Sequence, residues 1–172
     1  HMGDTPDFTY GEGKRQAEAV FFKHAQFPVV AVRFPIVMGE DDYTRRLHFH
    51  IEHVLNDEPM GFLNMDAEMS FILASEAAAF LHFAGVNDLE GPYNATSTGT
   101  ISLQALIEMI EEVAGKRARI ALLGDEAHRS PYAIPASWYM LPTKAQEAGF
   151  EFSALQSWLS ELVEAIVKTA RT

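Results

Sequence analysis

Pro28-Val29-Val30-Ala31-Val32-Arg33-Phe34 is a β-branched run without polar alternation, the pattern of a strand buried on both faces of a parallel sheet. Pro35 and Gly39 end it. Parallel strands need crossover connections, usually helices, so helical periodicity should flank the run. Upstream, Thr9 and Glu12 have capping-box spacing and Ala17, Val20, Phe21 and Ala25 share a stripe, which predicts a helix over about residues 10–26. Downstream, Leu47, Ile51, Val54 and Leu55 predict a second helix over about 44–56, and Ser70–Ala74 reads as an extended piece. Ser75 and Gly85 bracket a third helix with the stripe Ala77, Phe80, Leu81 and Ala84.

Tyr93-Asn94-Ala95 reads as a brief strand, and a helix runs from Ser102 to a stop at Gly115. Arg119–Leu123 is a further strand. Residues 124–142 hold three prolines and little periodicity, the mark of a long ordered loop bordering a site. A short helix between Thr143 and Gly149 precedes a terminal one, capped by Ser153 with Gln156, that carries Leu155, Leu159, Leu162, Val163 and Ile166. Helices alternating with short strands give an α/β class and one domain, or part of one.

The 172 residues are 48% hydrophobic and 22% charged, enough to bury a core. A formal charge of -11 repels phosphate backbones and anionic lipid, which argues against nucleic acid and membrane as partners. An anionic substrate would need a local basic pocket. The absence of cysteine removes disulfides and thiolate metal sites and fits a reducing cytoplasm. No apolar run approaches the ~20 residues of a membrane span, and no signal-peptide pattern opens the chain. His1-Met2 reads as a cloning remnant and is left out of the fold.

Tyr10 and Lys14 stand four apart at the start of a helix and so share one face. A phenol titrates near about 10, and a neighbouring ammonium favours the phenolate. Such a pair can move the proton of a hydroxyl-carbonyl couple while hydride passes to or from a nicotinamide. A packed tyrosine beside a solvent-facing lysine has the same spacing, so the pair alone does not assign chemistry.

The order of features around the pair does more. Tyr10-Gly11-Glu12-Gly13-Lys14, then Ala17-Glu18, then Val30-Ala31-Val32-Arg33-Phe34-Pro35-Ile36-Val37-Met38-Gly39 resembles the extended short-chain dehydrogenases, the family of NAD-dependent epimerases and dehydratases. Met69 to Ala78, Pro92-Tyr93-Asn94-Ala95, the helix after Ser102, and Lys144 to Phe150 match that family in character and order. The resemblance implies the C-terminal part of a Rossmann-like fold, with the substrate-binding region and without the Gly-rich first half. Residues 3–40 would carry the catalytic helix and core strand, and residues 41–172 the substrate-binding region.

By the same resemblance the parent is an oxidoreductase or isomerase using NAD or NADP on a nucleotide sugar or related small molecule. Tyr10 would be its general acid/base, and Lys14 would tune it and hold the nicotinamide ribose. Phe34, Pro35, Ile36 and Val37 would border the nicotinamide. The family's extra Ser or Thr precedes the tyrosine by more residues than stand here, and Ser75-Glu76 replaces the acidic residue many relatives have after the extended piece.

The glycine fingerprint of a dinucleotide site is missing: Gln16 follows Gly11 and Gly13 where a third glycine is needed. Phe8 and Ile110 occupy the first glycine position of a phosphate loop before Gly13-Lys14 and Gly115-Lys116. The piece is therefore expected to be inactive and to bind NAD feebly alone, and a second copy is expected to cover its exposed edge as a homodimer. The other reading is a non-enzymatic truncated module that serves in partner association.

His50, His53 and Asp57 share a helical face while His48 points elsewhere, so at most three metal ligands converge. A polar helix face explains the histidines without metal, and none is assigned. His48 is a candidate substrate contact instead. Arg45 and Arg46, after the turn at Gly39, and Arg129, in the proline-bearing loop, could hold an anionic group through forked hydrogen bonds, or could belong to solvated turns.

Overall fold

A computed structural model describes residues 9–121 and 128–172. Helix α1, Tyr10–His24, opens on the expected capping box: Thr9 Oγ1 accepts from the Glu12 amide at 3.3 Å, and the Thr9 amide donates to the Glu12 carboxylate at 2.9 Å. It stops two residues short of the expected end, where Ala25 turns extended ahead of Pro28.

Strand β1, Val30–Arg33, pairs in parallel with β6, Gly91–Asn94, in the register Val30↔Gly91 to Arg33↔Asn94. Burial on both faces does not hold, since no residue of β1 is fully buried. Among the described residues its apolar run lies against a single neighbouring strand. Strand β2, Ile36–Met38, pairs in parallel with β5, Phe71–Leu73, and β3, Pro59–Gly61, with β8, Arg119–Ala121. Strand β4, Glu68–Met69, pairs antiparallel with β7, Ile101–Ser102. Leu122 and Leu123, expected in β8, and residues 124–127 of the loop lie outside the described residues.

Helices α2, Arg46–Asn56, α4, Leu103–Ala114, and α6, Gln156–Ala170, pack on one another around one core. Leu47, Ile51, Leu106, Ile110, Leu159 and Val163 are almost wholly buried there, with the Tyr132 ring among them. The second cluster lies under β1 and β6, where Phe80 of α3, Ala74–Val86, meets Phe150 edge-on at 5.1 Å and Phe152 at 5.4 Å. The short α5, Thr143–Glu147, closes that side, with the Lys144 ammonium 3.9 Å over the Tyr93 ring. Both clusters draw side chains from before and after residue 40.

The Ser102 cap and Gly115 stop of α4 fall as expected, with Ser102 Oγ accepting from the Ala105 amide and Gly115 at φ 65°. Three other caps do not. Leu73 precedes the first residue of α3, because β5 runs straight into the helix. Ser75 therefore sits inside the first turn, while Gly85 lies inside the last and Asn87 ends it. Leu81 of that helix is half exposed rather than part of the core stripe. Leu155, not Ser153, precedes α6, because the Ser153 hydroxyl is engaged by Glu76.

Candidate functional site

Chain entering α2 is shaped by Asp42, whose carboxylate accepts from the Thr44 amide at 2.9 Å and the Thr44 hydroxyl at 2.7 Å. Arg45 then takes a left-handed conformation, φ 51°, and Arg46 begins the helix. Arg45 reaches along the helix to pair with Glu52. Phe49 lies one turn after Arg46 and therefore on its face. Opposite them runs the segment after residue 127, where Arg129 bridges to Gly61 and the Ser130 amide donates to the Gly61 carbonyl at 3.0 Å.

Thr44, Arg45, Arg46, Phe49, Glu52, Arg129 and Pro131 line one cleft of about 370 Å3. Among the described residues the lining carries three guanidinium groups and one carboxylate, on a chain of charge -11, and it lies beside the N-terminus of α2. The structure thus brings together Arg45, Arg46 and Arg129, which the sequence offered one at a time. His48 does not join them: it is buried, and its Nδ1 finds no partner among the described residues.

Behind the cleft His50 is fully buried, its ring nearly parallel to that of Tyr132, 4.6 Å away, and to that of Phe62, 5.8 Å away. Its Nδ1 lies 2.7 Å from the Arg46 carbonyl, which can only accept, so Nδ1 carries the proton. Burial outweighs that bond and pushes the histidine down to about 4, so the ring is neutral and Nε2 accepts from the Ser130 hydroxyl at 2.7 Å. His53 Nδ1 donates to the Phe49 carbonyl at 2.7 Å, and its Nε2 lies 3.5 Å from Glu58. No cluster of three metal-ligating side chains occurs among the described residues.

Tyr10 and Lys14 do share a face, with the Lys14 ammonium 5.3 Å from the Tyr10 ring centre. Tyr10 is 82% exposed, on a helix with no buried residue. A bond from Arg33 Nε to the Glu18 carboxylate at 3.1 Å ties α1 to β1. After β1, Pro35 is buried while Phe34, Ile36 and Val37 stay partly exposed, apolar surface suited to one face of a flat ring. Nothing lies within 4 Å of where a side chain would stand on Gly11 or Gly13, so no neighbouring group of the described residues requires a glycine at either.

Sequence reading missed Phe49, Glu52, Ser130 and the linking role of His50. Helical spacing from Arg45 and Arg46 would have found the first two, whereas the contact of His50 with Ser130 spans 80 residues and leaves no local signal.

No family model and no curated protein sequence matches the chain. Solved structures do resemble it. UDP-N-acetylglucosamine 4-epimerase from Methanobrevibacter ruminantium, in complex with UDP-N-acetylmuramic acid, superposes with a TM-score of 0.72 at 20% identity over 95% of this chain and 54% of its own. UDP-glucose 4-epimerase from Thermus thermophilus, in complex with NAD, gives 0.66 at 17% over 93% and 52%. The dTDP-4-dehydrorhamnose reductase from Bacillus anthracis, in complex with NADP, gives 0.64 at 16% over 93% and 55%.

The chain has part of the extended short-chain dehydrogenase fold. It spans about half the length of these epimerases and reductases, and at such identities the likeness is one of fold. No helix among the described residues is long and apolar enough to cross a membrane.

Proposed function

We propose that this chain is the C-terminal portion of an NAD(P)-dependent epimerase, dehydratase or reductase acting on a nucleotide sugar or a related small molecule. Residues 3–40 supply the catalytic helix and core strand, and residues 41–172 the substrate region. The observation that carries the reading is the cleft in which Arg45, Arg46 and Arg129 converge. Guanidinium forks match phosphate oxygens, and the α2 N-terminus adds a positive field, so a diphosphate is the natural occupant, with Phe49 offering an apolar wall.

The chemistry belongs to Tyr10 and Lys14. Tyr10 Oη gives or takes the proton of the sugar hydroxyl, and Lys14 favours its phenolate and holds the ribose. When bound, the nicotinamide of NAD or NADP supplies hydride acceptance, bordered by Phe34, Pro35, Ile36 and Val37. The pyrophosphate cradle is expected outside the described residues, and alone the chain should bind the dinucleotide feebly and turn over little.

Titration calorimetry with UDP tests the reading. Binding should weaken about tenfold or more in Arg46→Ala and in Arg129→Ala, because each removes a charge-assisted contact. UDP affinity indifferent to both substitutions would exclude it.

A second reading is a non-enzymatic module in partner association. It is favoured by the exposed placement of Tyr10 on a helix that buries none of its residues.

A further inference from the structure

We propose that His50 is a positioning residue for the arginine cleft, tying the Arg46 backbone to the Ser130 hydroxyl and so setting the separation of the two segments that carry Arg46 and Arg129. The inference rests on the reading of that cleft as an anion site. His50 lines no part of the cleft; it lies behind it, with no exposed surface.

Every proton in the link is assigned by its neighbours. The Nδ1 hydrogen of His50 goes to the Arg46 carbonyl, leaving Nε2 as acceptor for the Ser130 hydroxyl. Ser130 Oγ in turn accepts from the Tyr132 amide at 2.9 Å, while the Ser130 carbonyl accepts from the Ala133 amide at 3.0 Å. The turn after Arg129 is therefore folded around one serine. That serine has two tethers to the rest of the protein, Gly61 of β3 through its amide and His50 of α2 through its hydroxyl.

The β3 tether places the turn against the sheet, and the His50 tether places it against the helix that bears Arg45 and Arg46. The rings of Tyr132 and Phe62 both lie nearly parallel to the imidazole and pack against it. A guanidinium pair must be held to within a fraction of an ångström to fork a diphosphate, and long arginine side chains cannot do so unless their backbones are fixed.

The test uses the full chain with UDP as probe, comparing His50→Leu, His50→Gln and Ser130→Ala alone and with Arg129→Ala, each with its melting temperature. Leucine removes both bonds at similar volume, whereas glutamine can still accept from Ser130. His50→Leu and Ser130→Ala should weaken UDP binding by about tenfold. His50→Gln should recover most of that loss. In the Arg129→Ala background the His50→Leu effect should vanish, because the residue it positions is gone.

A merely structural role would lower the melting temperature without this non-additivity. Additive losses overturn the proposal, as does wild-type affinity in His50→Leu. If His50→Leu does not fold, Ser130→Ala with and without Arg129→Ala decides by the same criteria. Failure of the wild-type chain to bind UDP overturns both the cleft reading and the proposal. Loss of binding in Arg129→Ala with none in the His50 and Ser130 variants overturns the proposal alone.

Discussion

Burial of a neutral imidazole makes stability depend on pH in a direction that follows from the shift. The fold disfavours charged His50 and lowers it to about 4 against an ordinary 6.5. Between those values the unfolded chain binds the extra proton, so stability is flat above pH 6.5 and falls as pH drops towards 4, by a total on the order of 3 kcal/mol. Urea midpoints at pH 7.5, 5.5 and 4.5 should show that fall in the wild type and a shallower one in His50→Gln; equal slopes would contradict it. Tyr132 acts at the other end, since burial raises its phenol and its contribution is lost as pH climbs above the ordinary tyrosine range. Tyr10 differs from both in being exposed, so its phenol adds little to packing. In the intact parent, Tyr10→Phe should leave dinucleotide affinity almost unchanged and cut turnover by a factor on the order of 100 or more, because one hydroxyl is deleted. Near-normal turnover would end the assignment. Residue types disclosed the candidates Arg45, Arg46 and Arg129 but not their meeting, because each arginine is unremarkable within its own turn. Their convergence depends on a loop returning to α2 from 80 residues away.

Among the elements, α1 and α4 could be read almost to the residue because their caps are local: Thr9 with Glu12, and Ser102 with Ala105, satisfy the helix from within. The starts of α3 and α6 could not, because β5 runs straight into α3 and because Glu76 engages Ser153, the serine expected to cap α6. Its carboxylate accepts from Ser97 Oγ at 2.7 Å, from the Ser153 amide at 2.6 Å and from Ser153 Oγ at 2.7 Å, while Trp158 Nε1 donates to Ser97 Oγ at 3.1 Å. One side chain thus joins the first turn of α3, the segment after β6 and the approach to α6. Strand partners were equally hidden, since β1 with β6 and β3 with β8 pair across some sixty residues and parallel pairing leaves no turn to read. Glu76→Gln keeps the size but loses the charge and offers an amide where an acceptor is needed. It should cost on the order of 2 kcal/mol in urea unfolding while leaving UDP affinity unchanged. A variant as stable as the wild type would show the network to be idle.

At the scale of the whole molecule, one side is unfinished. Helix α1 buries none of its residues, with Val20, Phe21 and Phe27 each more than half exposed. Phe21, Phe22, Ala25, Phe27, Pro28 and Val29 edge a hollow of about 390 Å3. Beside it, β1 is paired along one edge only among the described residues. Exposed apolar side chains next to a strand edge left unpaired among the described residues favour association. The solved epimerases and reductases are about twice as long as this chain, and on the reading proposed above the other half of such a fold would be the cover. For the chain alone, the cover available is a second copy. The charge of -11 does not forbid it, because α1 itself holds Lys14, Arg15 and Lys23 against Glu12 and Glu18. Light scattering should therefore give a dimeric mass at micromolar concentration. Phe21→Glu with Phe27→Glu should return it to a monomer, since each copy would then bring two buried charges to a symmetric contact. UDP affinity should be the same in both forms, because the cleft is lined by α2 and the Arg129 segment and by no residue of α1. A monomeric wild type across that range would mean that the apolar side is tolerated in water, and would remove the second copy from the account without touching the cleft.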